Sequence, residues 1–384
     1  MLRWIRSALL MVALVALAIA WFMPRESQTL PLFARKYKME CVQCHIAFPR
    51  LNKFGMEFRQ RGYRLEGADG TSPWEEDAFP LSLIGNVGFD YTSTNAADST
   101  GVRTTFATSR FRQNAVEFHS AGTLAKRVSF RFDNAFTSDA GFLQSGQAWA
   151  QFDDLARAGG LNLKAGVFDA EIPYIASSRI TTQTDYLMPA TLDGEGIELN
   201  GRQSGWWYAT GLVNSSRVVG KPDDKTLNNL ENGYAWLMRE VGPHYVTARV
   251  FYDQQDPRAP DKHSSPVTQF DASAMVNVPH VTVIPAFSYQ KISDPVANDK
   301  NEFGMVEALW LLDPNGWWAL TGRFEIEHMP KSGVSPEQDL NVEVINLSHF
   351  LNRNVRLGAE WAHFGDNVQG PRINEYQLYT QVGY

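Results

Sequence analysis

Cysteine is nearly absent: the 384 residues hold two, Cys41 and Cys44. A disulfide-stapled secreted scaffold carries several spaced pairs, so that class is excluded, and a lone pair separated by two residues calls for a chemical explanation. A second Cys/His cluster is missing nearby, which leaves structural zinc short of its four ligands. No βαβ context surrounds the pair, as a thioredoxin-like site would need. Long apolar runs are equally scarce. The one that stands out, Ala8 to Met23, follows the basic start Met1-Leu-Arg-Trp-Ile-Arg6 and contains Ala18-Ile-Ala20. A basic head, an apolar stretch and an A-x-A pattern read as a secretory signal over residues 1–20, the alternative being an uncleaved inner-membrane anchor. No hydrolase motif occurs, and scattered carboxylates alone do not make an acid–base enzyme.

Charge is divided unevenly. The formal net charge is −7, yet residues 31–65 hold eight Lys/Arg against two Asp/Glu, a balance of +6. With +2 on residues 1–30, residues 66–384 carry −15. A small basic module therefore precedes a large acidic one, and the two attract. The expected division is a signal over 1–20, a small module with its linker over 21–78, and a large unit over 79–384. The linker runs from Glu66 to about Pro80 and is polar, with Gly, Asp, Ser and Pro.

Beyond Leu81 the pattern is alternation. Sixteen segments of period two lie between Leu81 and Tyr384, bounded by turn residues. Seven short links fall around Ala121–Ala125, Asp154–Gly160, Gly201–Gly205, Val241–His244, Pro279–His280, Asp313–Gly316 and Leu351–Asn354. Eight longer polar links lie between them, the longest around Ala170–Asp193. Strict alternation of long and short links is the signature of an up-and-down outer-membrane barrel, and an even strand count leaves both ends on the periplasmic side.

The strands carry two faces. Phe130, Phe132 and Phe136 oppose Arg131 and Asp133; Phe324 and Ile326 oppose Arg323, Glu325 and Glu327; Val250 opposes Arg249; Ile197 and Leu199 oppose Glu198 and Asn200. One face suits lipid and the other a wet lumen. Trp206, Trp207, Trp310, Trp317, Trp318 and Trp361 supply residues for an aromatic girdle. A soluble sandwich would also alternate, but it has no need of such regular links. The expected fold is all-β: an antiparallel outer-membrane β-barrel of about sixteen strands behind a small helical N-terminal module.

Cys41-Val-Gln-Cys44-His45 is the C-x-x-C-H haem attachment motif. Two thiols at this spacing form thioethers to haem vinyl groups, and the next residue places an imidazole under the iron. The expected cofactor is one covalent haem c, bound by Cys41, Cys44 and His45, with His45 the proximal ligand. Leu51, Phe54 and Phe58 then recur at i, i+3 and i+7, one apolar helical face, with Gly62 as a stop signal. So short a module cannot bury its own core and needs outside support. A barrel lumen would provide it, so the haem module is expected to plug the barrel or its periplasmic mouth. For the distal ligand the first candidate is Met56 and the second His119; a five-coordinate iron is the other possibility. Arg35, Lys36, Arg50, Arg59, Arg61 and Arg64 are candidates for holding the haem propionates, or else form a solvated face.

An exported chain with Phe33-Ala-Arg35 shortly before a single C-x-x-C-H, followed by about sixteen strands, resembles the fused outer-membrane monohaem cytochrome–porins, whose best-known members are iron oxidases. The resemblance implies electron transfer across the outer membrane, from extracellular Fe(II) or another redox donor to the haem and on to a periplasmic cytochrome or other carrier. It makes the chain a possible Fe(II):cytochrome c oxidoreductase. Lys36-Tyr-Lys-Met-Glu40 follows the Arg where iron oxidases often have Gln-Thr, a departure that bears on substrate more than on architecture. Asp223, Asp224, Asp253, Asp256 and Asp261 on the long loops could attract Fe(II), or are ordinary solvated charge. The alternatives are a diffusion porin with a haem-bearing plug or sensor, and a conduit exporting electrons outward. No nucleic-acid partner is expected.

Overall fold

In the computed structural model the described residues are 32–65, 80–97, 102–136, 144–156, 159–170, 172–176, 179–189, 193–214, 232–254, 266–293, 298–331, 337–366 and 370–383. The expected signal over 1–20 and most of the linker lie outside them. Among the described residues no helix is long and apolar enough to cross a membrane.

The chain begins with helix α1 (Leu32–Tyr37), helix α2 (Cys41–Cys44), the short strands β1 (His45–Ala47) and β2 (Arg50–Leu51), and helix α3 (Lys53–Gln60). Sixteen strands follow and close into a barrel. They are β3 (Leu81–Ala97), β4 (Arg103–Ala125), β5 (Val128–Phe136), β6 (Gln144–Phe152), β7 (Asn162–Asp169), β8 (Asp193–Gln203), β9 (Trp206–Val213) and β10 (Asn232–Val241). Then come β11 (His244–Gln254), β12 (Pro266–Val278), β13 (Val281–Ser293), β14 (Asn298–Leu311), β15 (Trp318–Met329), β16 (Gln338–Asn352), β17 (Val355–Asp366) and β18 (Arg372–Gly383). Each pairs antiparallel with its neighbour, and β18 closes on β3 through pairs running from Arg372↔Asn95 to Gly383↔Ile84. A closed barrel leaves no unpaired edge, which is what allows strands to cross lipid.

The alternating links are present, with shifted boundaries. β4 continues through Ala121–Ala125, so its short turn is Lys126-Arg127, and β8 continues to Gln203, so its turn is Ser204-Gly205. The two faces also hold. Phe324, Ile326, Val250, Ile197 and Leu199 are exposed on the outside, while Arg323, Glu325, Arg249, Glu198 and Asn200 are buried inside. That is the arrangement of a membrane-spanning barrel, apolar outward and polar inward. On β5 the alternation ends early, because a register shift between Phe132 and Asn134 puts Asp133 and Asn134 both on the buried side. The Phe136 side chain is outside the described set. Trp206, Trp310 and Trp318 are exposed close to the short-turn ends of β9, β14 and β15, as a girdle requires. Trp207 turns inward instead and donates to Glu240 at 2.6 Å.

The lumen is not simply wet. The long link between β7 and β8 folds into it, burying Ala170, Ile172, Tyr174, Ile175 and Met188. A loop inside a barrel must find partners for its backbone, and the wall charges supply them. Glu360 accepts from Gln183 N at 2.6 Å and Thr184 N at 2.7 Å. Glu325 accepts from Leu187 N at 2.9 Å and Met188 N at 3.1 Å. Arg323 donates to the carbonyls of Thr184 and Asp185, both at 2.8 Å, and Arg249 to that of Pro189 at 3.0 Å. Arg249, Arg323 and Glu325, expected to serve a hydrated interior, together with Glu360 hold an inner loop.

Residues 32–65 occupy the short-turn side of the same lumen. Arg50 is fully buried there, donating to the carbonyl of Tyr174, to Tyr186 Oη at 2.8 Å and to Glu307 of the wall.

Candidate functional site

The Cys41–Cys44 turn is a single turn of helix. Its capping box pairs Glu40 with Gln43, whose side chain accepts from Glu40 N at 2.9 Å. Asn52 ties this turn to α3. Its side chain donates to the carbonyls of Val42 (3.2 Å) and Gln43 (3.0 Å) and accepts from Gly55 N (2.9 Å), capping the helix. Gly55 lets the two segments touch: a Cβ there would lie 2.1 Å from the Cys44 carbonyl oxygen. After α3, Gly62 turns the chain with φ at +66°, as the stop signal requires.

This framework opens onto a cavity of about 660 Å³ between module and barrel wall. On the module side Cys44, His45, Phe48, Leu51, Phe58 and Tyr63 line it. Phe33 stacks on Tyr63 at 4.8 Å and meets Phe58 edge-on at 5.0 Å, closing that wall. On the barrel side Glu117, His119, Arg131, Asp133, Arg179 and Arg356 line it. Cys41 faces an adjoining crevice that shares Phe48, Ser82, Ile84, Arg356 and Gln381 with the larger cavity. Both cysteines are free thiols of intermediate exposure.

Burial holds the site in neutral form. It pushes the Cys44 thiol up to about 11 and the Cys41 thiol upward as well. It pushes the His45 imidazole down to about 4, against the pull of the Pro49 and Arg50 backbone beside it. A neutral imidazole is the form that binds a metal. The buried Nδ1 of His45 makes no hydrogen bond of good geometry among the described residues.

Of the predicted site residues, Cys44, His45 and His119 come together at one cavity. Met56, the first candidate for the distal ligand, does not join them. It is buried on the other side of α3, facing a separate pocket with Trp149, Trp207 and Trp236. The helical spacing that puts Phe58 on the cavity turns Met56, two residues earlier, away from it. Phe54 is also off the cavity and exposed.

The cationic cluster is divided as well. Arg59 lines the cavity. Arg50 pairs with Glu307, Arg64 with Asp154 at 2.9 Å, and Arg61 with Glu57 at 3.8 Å. Lys36 lies over the Tyr37 ring, and the Arg35 side chain is outside the described set. Arg50 and Arg64 thus dock the module, and the remaining cations at the cavity come from the wall, Arg131 and Arg356, and from the inner loop, Arg179. Arg131, Arg179 and Arg356 were not foreseen in this role, because they lie 66 or more positions beyond the module's last residue and only the closed barrel and its inner loop bring them near. Asn52 carried a local signal, an N-cap residue before a helical run. Of the loop aspartates proposed to attract Fe(II), Asp253 is on β11; Asp223, Asp224, Asp256 and Asp261 lie outside the described residues.

No protein-family model matches the sequence, and neither does any curated protein. Solved structures do. The anion-selective porin of Comamonas acidovorans superimposes with a TM-score of 0.56 at 10% identity, over 79% of this chain and 99% of that one. The outer-membrane channel DcaP of Acinetobacter baumannii gives 0.56 at 12% identity, over 79% and 97%. OmpF of Salmonella typhi gives 0.57 at 11% identity, again over 79% and 97%. What these proteins share with the chain is its fold, so the resemblance to cytochrome–porins rests on residues 33–45 and the barrel behind them. The large unit has the β-barrel fold of the outer-membrane porins.

Proposed function

We propose that this chain is an outer-membrane redox protein whose residues 32–65 carry one c-type haem inside the barrel, relaying electrons between an extracellular donor, Fe(II) foremost, and a periplasmic cytochrome or comparable carrier. The observation that carries this reading is the coincidence of the Cys41–Cys44–His45 motif with a cavity of about 660 Å³. Its donor set suits the group: the Cys44 thiol on the cavity and the Cys41 thiol on the adjoining crevice for thioethers, an imidazole kept neutral by burial, an aromatic and aliphatic wall, and arginines for carboxylates. When bound, the haem supplies one-electron exchange, so the donor gives up one electron and the periplasmic carrier takes it. The chain's own residues do the rest. Asn52 and Gly55 fix the attachment turn against α3. Leu51, Phe58 and Tyr63 exclude water from one side of the cavity, and Arg59, Arg131 and Arg356 bring positive charge to a lining that also holds Glu117, Asp133 and Asp169.

The test is to add Fe(II) to purified, oxidised holoprotein and follow the haem absorption. Reduction supports the reading; no reduction across a range of pH removes the Fe(II) oxidase assignment.

A second reading, a diffusion porin with a haem-bearing plug, draws directly on the fold, since two of the similar structures are a porin and an outer-membrane channel. Conductance in a planar bilayer separates them. Large, steady current supports the porin, and a closed barrel supports the relay.

A further inference from the structure

We infer that His119 of the barrel wall would be the second protein ligand of the haem iron beside His45, an inference that rests on the proposed haem reading. Among the described residues lining the cavity, His119 is the one imidazole besides His45, and no Met or Lys accompanies it. Six-coordinate c-type haems take His or Met at the distal position. With Met56 turned to a separate pocket, the wall offers a single conventional ligand.

Both ring nitrogens of His119 face carboxylates, so binding a metal through Nε2 requires Glu117 to give way. Its Nδ1 lies 3.0 Å from Asp133 Oδ1 and its Nε2 3.0 Å from Glu117 Oε2. The two carboxylates differ in freedom. Asp133 is buried and braced by Arg131, whose Nε donates to it at 2.6 Å. The Glu117 side chain is 45% exposed and is the partner that can yield. An imidazole whose Nδ1–H is anchored on a fixed carboxylate presents Nε2 to a metal in the correct tautomer and with raised basicity. Asp133 is then a positioning residue, acting on the iron only through His119.

The assignment also says why the module is seated in the barrel: it brings one ligand and the wall brings the other. A displaced module would keep its covalent haem and lose its sixth ligand.

The experiment is the ferric EPR and absorption spectrum of the purified full-length holoprotein, beside His119→Ala, Glu117→Gln and Met56→Leu. The wild type is expected to be low-spin with two imidazole ligands. His119→Ala should retain covalent haem but turn high-spin, and added imidazole should restore the low-spin spectrum. Met56→Leu and Glu117→Gln should remain low-spin. A His/Met or high-spin wild type overturns the inference, and so does a low-spin spectrum that His119→Ala leaves unchanged; both leave the haem reading standing. Absence of covalent haem from the wild type overturns both readings. Should His119→Ala not fold, His119→Met takes its place, and a spectrum that stays that of two imidazole ligands overturns the inference.

Discussion

Arg50 is where the module, the inner loop and the wall meet. Its guanidinium reaches the Tyr174 carbonyl, Tyr186 and Glu307, and both it and Glu307 are out of solvent. Removing one partner of a buried pair leaves the other uncompensated, at a cost of about 3–5 kcal/mol. Arg50→Ala should therefore loosen the module, seen as faster proteolysis of residues 32–65. Arg50→Met combined with Glu307→Gln should recover much of the loss, and equal sensitivity of single and double variants would contradict the pairing. Gly55 is the second such position. Gly55→Ala forces a Cβ against the Cys44 carbonyl, an overpacking worth about 1–3 kcal/mol. The expected outcome is reduced haem attachment per chain, read from the ratio of haem absorption to protein. At this scale the motif itself was legible, since C-x-x-C-H is local in sequence. Met56 shows what was not: the sequence places it on a helix but does not say which side of that helix meets the cavity.

At the scale of elements, the sixteen strands could be read from alternation because each has one face in lipid and one in a polar interior, and a two-residue period records that directly. Boundaries were read less well. The short turns lie where Lys126-Arg127 and Ser204-Gly205 fall, and the flanking Ala121–Ala125 and Gly201–Gln203 remain paired, because small and polar residues are tolerated inside a strand of a closed barrel. The inner loop was legible only as a long link. Its burial depends on charges from distant strands, among them Arg323, Glu325 and Glu360, each of which looks like ordinary lumen charge in isolation. The faces can be tested on β15. Phe324→Arg places a charge on the lipid face near mid-strand and should cost about 2–4 kcal/mol in barrel stability. Unfolding from lipid vesicles in urea measures it, and an unchanged midpoint would argue against a lipid-facing Phe324.

The whole molecule is organised by the opposition of a basic module and an acidic barrel. That opposition appears as Arg50–Glu307, Arg64–Asp154 and Lys53–Glu240 at 2.6 Å, while Arg202–Glu57 at 3.0 Å joins the two with the signs reversed. The pairs differ in environment, since the Lys53 side chain is 49% exposed and Arg50 is fully buried. Salt screens the first kind far more than the second. Module and inner loop both sit against the inner wall, so deleting residues 32–65 should raise single-channel conductance well above that of the intact protein; an equal conductance would mean that the module does not plug the channel. The central claim, that Cys41 and Cys44 hold one haem, is tested most directly by the intact mass of the full chain exported with a c-type maturation system, combined with thiol alkylation. The account predicts a mass raised by one haem that survives denaturation, with neither cysteine alkylated. A chain of unmodified mass whose two thiols both react would contradict it.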